Sequence, residues 1–97
     1  MTVKCREIKV GKKNIEAILI NLASKNLIVL RGECGYIMCG YLDLKVADKF
    51  EDVAVKITGV ASIEDALNSE VASLSHSAEK LGMYIGQPIK EVLKIIA

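Results

Sequence analysis

Tryptophan is absent from this chain of 97 residues and phenylalanine occurs once, so aromatic residues make up only 4% of it. With 52% hydrophobic residues overall, any core has to be built from isoleucine, valine, leucine and alanine. A composition this apolar excludes a disordered chain. An excess of one charge is also lacking: 13 Lys and Arg stand against 12 Asp and Glu, for a net charge of +1. The basic cluster of Lys9 with Lys12 and Lys13 flanks a turn. Nucleic-acid surfaces carry a basic stripe, often with stacking aromatics, so nucleic acid is not an expected partner. No charged-then-apolar leader opens the chain, and no run of about 18 apolar residues crosses it, so no membrane partner is expected. Three cysteines, an odd number without a secretory signal, point to reduced thiols and a cytoplasmic location.

The length implies one domain. A domain this small buries well under ~70% of its unfolded surface. Its surplus of aliphatic residues therefore needs a second place to go, and an oligomer interface supplies one. Residues 2–10 read as a strand whose apolar parity switches midway, from Val3 and Cys5 to Ile8 and Val10. Such a switch marks a bulge or a strand that bridges two environments. After the turn at Gly11, residues 15–22 place Ile15, Ala17 and Leu19 on one face and Ile18, Ile20 and Leu22 on the other. Residues 27–30 are apolar throughout. A sheet with two apolar faces is covered twice. Helices and loops within one subunit are one way to do this. Helices on one face and a second subunit on the other are the better fit, because the chain has few helices to place.

Downstream, Asp43 is placed to cap a helix over 44–50, with Leu44, Ala47 and Phe50 spaced to pack. Residues 53–58 alternate as a half-buried strand, Val53, Val55 and Ile57 inward and Ala54, Lys56 and Thr58 outward. Ser62 opens a helix over 63–68. The spacing of Val71, Leu74, Ala78 and Leu81 predicts a further helix over 70–81, capped by Ser69. A last helix over 88–96 has Pro88 at its first position and a stripe of Ile89, Val92, Leu93 and Ile96. The fold class is α+β: an N-terminal antiparallel β-meander followed by helix, strand and three C-terminal helices. Residues 1–41 form a β-rich, oligomerising half and residues 42–97 a mainly helical one.

Residues 32–43 concentrate three of the seven glycines, two of the three cysteines and two of the three tyrosines. Glycine is used where the backbone turns sharply or where another backbone or a ligand comes close. Cys39 sits at the end of the fourth strand, four residues before the Asp43 cap. A turn there brings its thiol toward a helix start, a setting in which cysteines act as nucleophiles. Against this stand the ordinary burial of cysteine, the negative charge of Asp43, and the lone His76, which lies off the apolar stripe. Gly35, Tyr36, Gly40 and Asp43 are the candidate ligand-binding residues, for a small molecule. Tyr36 and Tyr41 have the alternative role of apolar rings with hydrogen-bonded hydroxyls. A metal set drawn from Cys5, Cys34, Cys39 and His76 lacks the close pairing of zinc sites, and no phosphate-loop or dinucleotide spacing is present. Neither a metal nor a cofactor is expected.

The hexapeptide Gly35-Tyr36-Ile37-Met38-Cys39-Gly40, with Leu42-Asp43 behind it, resembles the YunC-like family, a small bacterial and archaeal domain of unknown function. The likeness continues at Gly59-Val60 before Ser62-Ile63-Glu64-Asp65, at Ala78-Glu79-Lys80-Leu81-Gly82, and at Gly86 with the helix after it. The resemblance implies an N-terminal β region that mediates tetramerisation, and it implies no activity. Cys34 lies outside the pattern. Two functions are thus in play: a homotetrameric binding or scaffold domain organised around residues 35–43, and a thiol-dependent enzyme acting through Cys39.

Overall fold

A computed structural model describes residues 3–97. Thr2, where the sequence places the start of the first strand, lies outside the described residues. The chain runs β1 (Val3–Val10), β2 (Lys13–Leu22), β3 (Lys25–Arg31), β4 (Tyr36–Met38), α1 (Leu44–Lys49), β5 (Ala54–Lys56), α2 (Ile63–Leu67), β6 (Ser73–Leu74), α3 (His76–Lys80) and α4 (Ile89–Ile96). The α+β class expected from the sequence is what the chain adopts. All six strands form one sheet in the order β1-β2-β3-β4-β5-β6. The first four make the expected antiparallel meander. Then β4 pairs with β5 in parallel and β5 with β6 antiparallel. The β4–α1–β5 segment is therefore a crossover unit, a parallel pairing that the expected meander followed by helix and strand does not include.

Pairing register explains the two apolar faces. Ile15, Ala17 and Leu19 of β2, Ile28 and Leu30 of β3, Ile37 of β4 and Val55 of β5 are buried. With Val71, Ala78, Met83 and the Ile89, Val92, Leu93 and Ile96 stripe of α4, they form the main core. On the opposite face Cys5 pairs with Ile18, Ile18 with Val29 and Val29 with Met38, while Val3 pairs with Ile20. A smaller cluster of Leu42, Ala47 and Ala54 covers only the β4–β5 end of that face, through α1. Ile18, Ile20 and Val29 are half-buried and pack against neither cluster. The parity switch in β1 involves no bulge, since its pairing with β2 is unbroken from Val3↔Ile20 to Val10↔Lys13. The strand bridges two environments: Ile8 and Val10 lean on the core, while Val3 and Cys5 lie on the open face.

Three expectations are corrected. Ala54, read as outward, is fully buried because α1 lies over it. Phe50, read as packing, is the helix-ending residue of α1 and is 67% exposed. No helix spans 70–81. Ser69 Oγ instead donates to the Ala66 carbonyl (2.6 Å), residues 73–74 pair with β5, and the helix begins only after Ser75, whose Oγ accepts the Ala78 N–H. The β5 edge is the reason. The N–H of Ala72 donates to Lys56 O and that of Ser75 to Ala54 O, both at 2.9 Å, so extended backbone here satisfies a strand that a helix would leave unpaired. A smaller shift concerns Pro88, which sits at the N-cap of α4 with extended ψ of 136°, one residue before the first helical position. Among the described residues no helix is long and apolar enough to cross a membrane.

The glycines of the central motif do different things. The β3–β4 turn, closed by the Gly32 N–H on the Gly35 carbonyl (2.8 Å), docks on the end of α4, where the Cys34 N–H donates to Ile96 O (2.7 Å). A Cβ on Gly32 would collide with that same Ile96 carbonyl, and one on Gly35 would lie 2.6 Å from Val53 O. A Cβ on Gly40 meets nothing within 4 Å. Gly32→Ala is accordingly expected to cost about 2 kcal/mol or more, as overpacking against backbone does. Gly40→Ala should be neutral, or stabilising by up to about 1 kcal/mol through the unfolded chain. Urea midpoints at unchanged slope measure both; equal losses would mean that the motif is one rigid structural unit.

Candidate functional site

Parallel pairing sets the carboxyl ends of β4 and β5 side by side, so the chain leaves both strands in the same direction. Beyond β4 it turns through Cys39-Gly40-Tyr41-Leu42, with the Leu42 N–H on the Cys39 carbonyl (3.1 Å). Beyond β5 it passes through Thr58, Gly59, Val60 and Ala61. Facing both is the β2–β3 turn, with Asn21, Ser24, Lys25 and Asn26. Together these three segments enclose a cleft of about 660 Å³, within the size range of small-molecule sites. Crevices outside the carboxyl ends of parallel strands are where open sheets commonly bind ligands.

Two asparagines hold the rim. Asn21 Nδ2 donates to Asn26 Oδ1 (2.8 Å), and Asn26 Nδ2 donates to the Ala61 carbonyl (2.9 Å). The hairpin turn is thereby tied to the segment after β5. Ala23 at the tip of that turn has φ of +47°, a left-handed conformation uncommon for a residue with a side chain.

The residues singled out from the sequence fall into two groups. Cys39 and Gly40 line the cleft, and Tyr41 joins them, 51% exposed. Cys39 is nonetheless only 5% exposed and belongs to the main core. Its N–H donates to Ile28 O (3.1 Å) and its Sγ accepts the Ile28 N–H (3.3 Å), so the residue extends the β3–β4 ladder. Gly35 and Tyr36 lie at the other end of β4. Gly35 is pressed against Val53, and the Tyr36 hydroxyl donates to Asp52 Oδ2 (2.9 Å). Asp43 caps α1, accepting the Lys45 N–H at 3.0 Å, as expected from its position. His76 starts α3, 83% exposed at its side chain, with its N–H on Asp48 Oδ1 (2.8 Å). It does not line the cleft. All three cysteines are free, and among the described residues no group of three or more His, Cys, Asp or Glu is placed to hold a metal.

Sequence reasoning missed the far wall of the cleft. Asn21 reads there only as part of the strand over 15–22 and Thr58 as the end of the strand over 53–58, while Lys25 and Asn26 are given no role at the site. Only the parallel pairing of β4 with β5 brings Gly40 and Gly59 together, and the signal available for it was the strand–helix–strand order.

With this topology and cleft, the molecule is a member of a family of domains whose function is not assigned. Residues 38–96 match the model of a domain of unknown function (DUF1805), and the chain belongs to that family. It is 30% identical over 95 residues to "Uncharacterized protein YunC" of Bacillus subtilis (strain 168), a match covering 94% of each chain. The crystal structure of TA1206 from Thermoplasma acidophilum, a protein of unknown function, superimposes with a TM-score of 0.95 at 29% identity. That match covers 99% of this chain and 94% of the other. The resemblance read from residues 35–43 therefore holds.

Tyr36 offers a spectroscopic handle on this half of the sheet. Partial burial of its ring, then the hydrogen bond to Asp52, pushes its phenol up to about 12. A tyrosine whose folded value lies above the unfolded one of about 10 adds stability that is complete below pH 10 and is lost as pH rises toward 12. Phenolate absorbance should show a step near pH 12, and Tyr36→Phe should remove it. The substitution should also cost on the order of 1 kcal/mol at neutral pH through the lost hydrogen bond.

Proposed function

We propose that this domain is a cytoplasmic homo-oligomeric binding module, a tetramer of subunits joined through the N-terminal strands. In this reading the cleft beyond β4 and β5 takes a small molecule. One observation carries the site: a Cβ at Gly40 would meet nothing within 4 Å and its backbone φ lies outside the left-handed region, so neither sterics nor strain calls for glycine there. What its missing side chain does is leave the cleft open and the turn backbone accessible.

The assembly rests on the open face of β1–β3. Val3 is 59% exposed, and Ile18, Ile20 and Val29 are half-buried without covering helices. Covering such side chains in a two-fold contact yields roughly 6–12 kcal/mol. That competes with the 4–15 kcal/mol or more that association costs. Glu16, Arg31 and Glu7 lie at the far end of the same face, with Arg31 and Glu16 in an ion pair, and give it a polar rim. Ile18→Glu or Ile20→Glu should dissociate the assembly and leave a folded subunit, because both point away from the core. Leu19→Glu, on the core face, should unfold it. Light scattering and circular dichroism measure the two effects. A wild-type chain that is monomeric at micromolar concentration would overturn the assembly.

A second reading, a thiol-dependent enzyme acting through Cys39, has in its favour that Cys39 borders the cleft. Against it, the residues lining the cleft include no His, Asp or Glu to serve as base. Iodoacetamide labelling followed by peptide mass spectrometry separates the two. A binding module labels at Cys34, which is exposed away from the assembly face, and at Cys39 only on unfolding. Labelling of Cys39 ahead of Cys34 at neutral pH would favour the enzyme.

A further inference from the structure

We propose that the ligand of the cleft carries an oxyanion, phosphate or carboxylate, next to a planar ring. The proposal rests on the reading of the cleft as a ligand site and specifies what it recognises.

The first ground is charge. Among the described residues Lys25 is the only charged one lining the cleft, and no carboxylate lines it. Lys25, like every lysine but Lys13, has no ion-pair partner among the described residues, and what sets it apart is its place on the cleft. A cation left without a counter-charge beside a cleft raises the local concentration of anions.

The second ground is a set of backbone donors left free by the strand pairing. Strand pairing ends with the Cys39 N–H on Ile28 O and the Ile57 N–H on Met38 O (2.9 Å). Beyond those two bonds the N–H groups of Gly40, Tyr41, Gly59 and Val60 donate to no protein acceptor among the described residues. They sit on two loops that the parallel strands bring together, and Gly59 has φ of +70°. Converging unpaired N–H groups in such turns form anion-binding concavities. With Lys25 as the charge on the rim, an oxyanion can use these donors.

The third ground is Tyr41. Its ring is half exposed at the mouth, on the turn that carries Gly40. A partly exposed aromatic next to an oxyanion cradle offers a flat apolar face to a ring on the ligand.

Three small probes test this on the full chain by amide chemical shifts: phenyl phosphate, benzoate and phenol. Phenyl phosphate or benzoate should move the Gly40, Tyr41 and Gly59 amides at lower concentration than phenol, and which of the two does so identifies the oxyanion. Binding should weaken with rising salt. Lys25→Gln should weaken the anionic probe by about tenfold, as loss of a charged hydrogen bond does, and leave phenol unchanged; Lys25→Arg should retain most of the affinity. Phenol binding as well as the anions, or Lys25→Gln without effect, would overturn the oxyanion and leave the cleft standing as a site for neutral molecules. Shifts from none of the three probes at these amides would overturn both.

Discussion

Parallel neighbours in a sheet require the chain to cross over before the second strand begins, and here that crossover is short: a turn, α1 and the approach to Ala54. The pairing of β4 with β5 through Tyr36↔Ala54, Ile37↔Val55 and Met38↔Lys56 is the constraint on which the remaining architecture depends. It forces α1 onto the face opposite the main core, which buries Ala54 beneath Ala47 and Leu42. It also brings two strand ends together, and so makes a cleft where a pure meander would have had alternating hairpin turns. The pair is held at its entrance by close backbone approach. The Tyr36 N–H donates to Val53 O (3.0 Å), and Gly35 leaves room for Val53 itself. At β5's other edge a buried hydroxyl completes the arrangement. Ser75 Oγ accepts from the Ala54 N–H (3.0 Å) and the Ala78 N–H (3.2 Å) and donates to Asp52 O (2.7 Å). One side chain thus joins β5, the start of α3 and the end of the crossover, and its burial is compensated in full.

The core is aliphatic on both faces of the sheet: Ile, Val, Leu and Ala fill it, with Cys39 and Met83. Residues of α2, α3 and α4 cover one face. On the other, α1 is six residues long and reaches only the β4–β5 end. Strands β1–β3 are left uncovered there, since α4, at eight residues the longest helix among the described residues, packs on the core side.

Much of this was legible in the sequence because its signals were local. The parity of Ile15, Ala17 and Leu19 against Ile18 and Ile20 gave both faces of β2. Asp43 and Ser62 marked two helix starts through their own side-chain bonds. The α4 stripe was right at all four positions. What was not legible depended on partners distant in sequence. Val71, Leu74 and Ala78 recur at helical spacing, yet Val71 is bonded through both backbone groups to the 86–87 segment and Leu74 pairs with Val55. Serines at 69, 73, 75 and 77 were the local warning, since their side chains compete with helical backbone bonds. Ala54 and Phe50 were misplaced for the same reason: which face α1 covers is decided by the crossover, not by the residues of α1.

The candidate site was half legible, and the reason lies in how the glycine-rich stretch divides. Its first part, Gly32 to Tyr36, meets the end of α4, Val53 and Asp52, so glycine there serves backbone packing. Its second part, Cys39 to Tyr41, borders open space. A sequence reading sees one cluster of unusual residues and assigns it one role. The structure separates them by the length of β4, with the turn that anchors the sheet at one end and the turn that opens the cleft at the other. Cys39 belongs to both. Its sulfur takes part in strand pairing while its neighbour leaves the backbone bare. A substitution at Cys39 therefore disturbs the ladder to Ile28 along with the cleft wall, and loss of binding in such a variant would not identify a chemical role for the thiol. The positions that report on the cleft alone are those outside the ladder: Gly40, Tyr41 and Lys25.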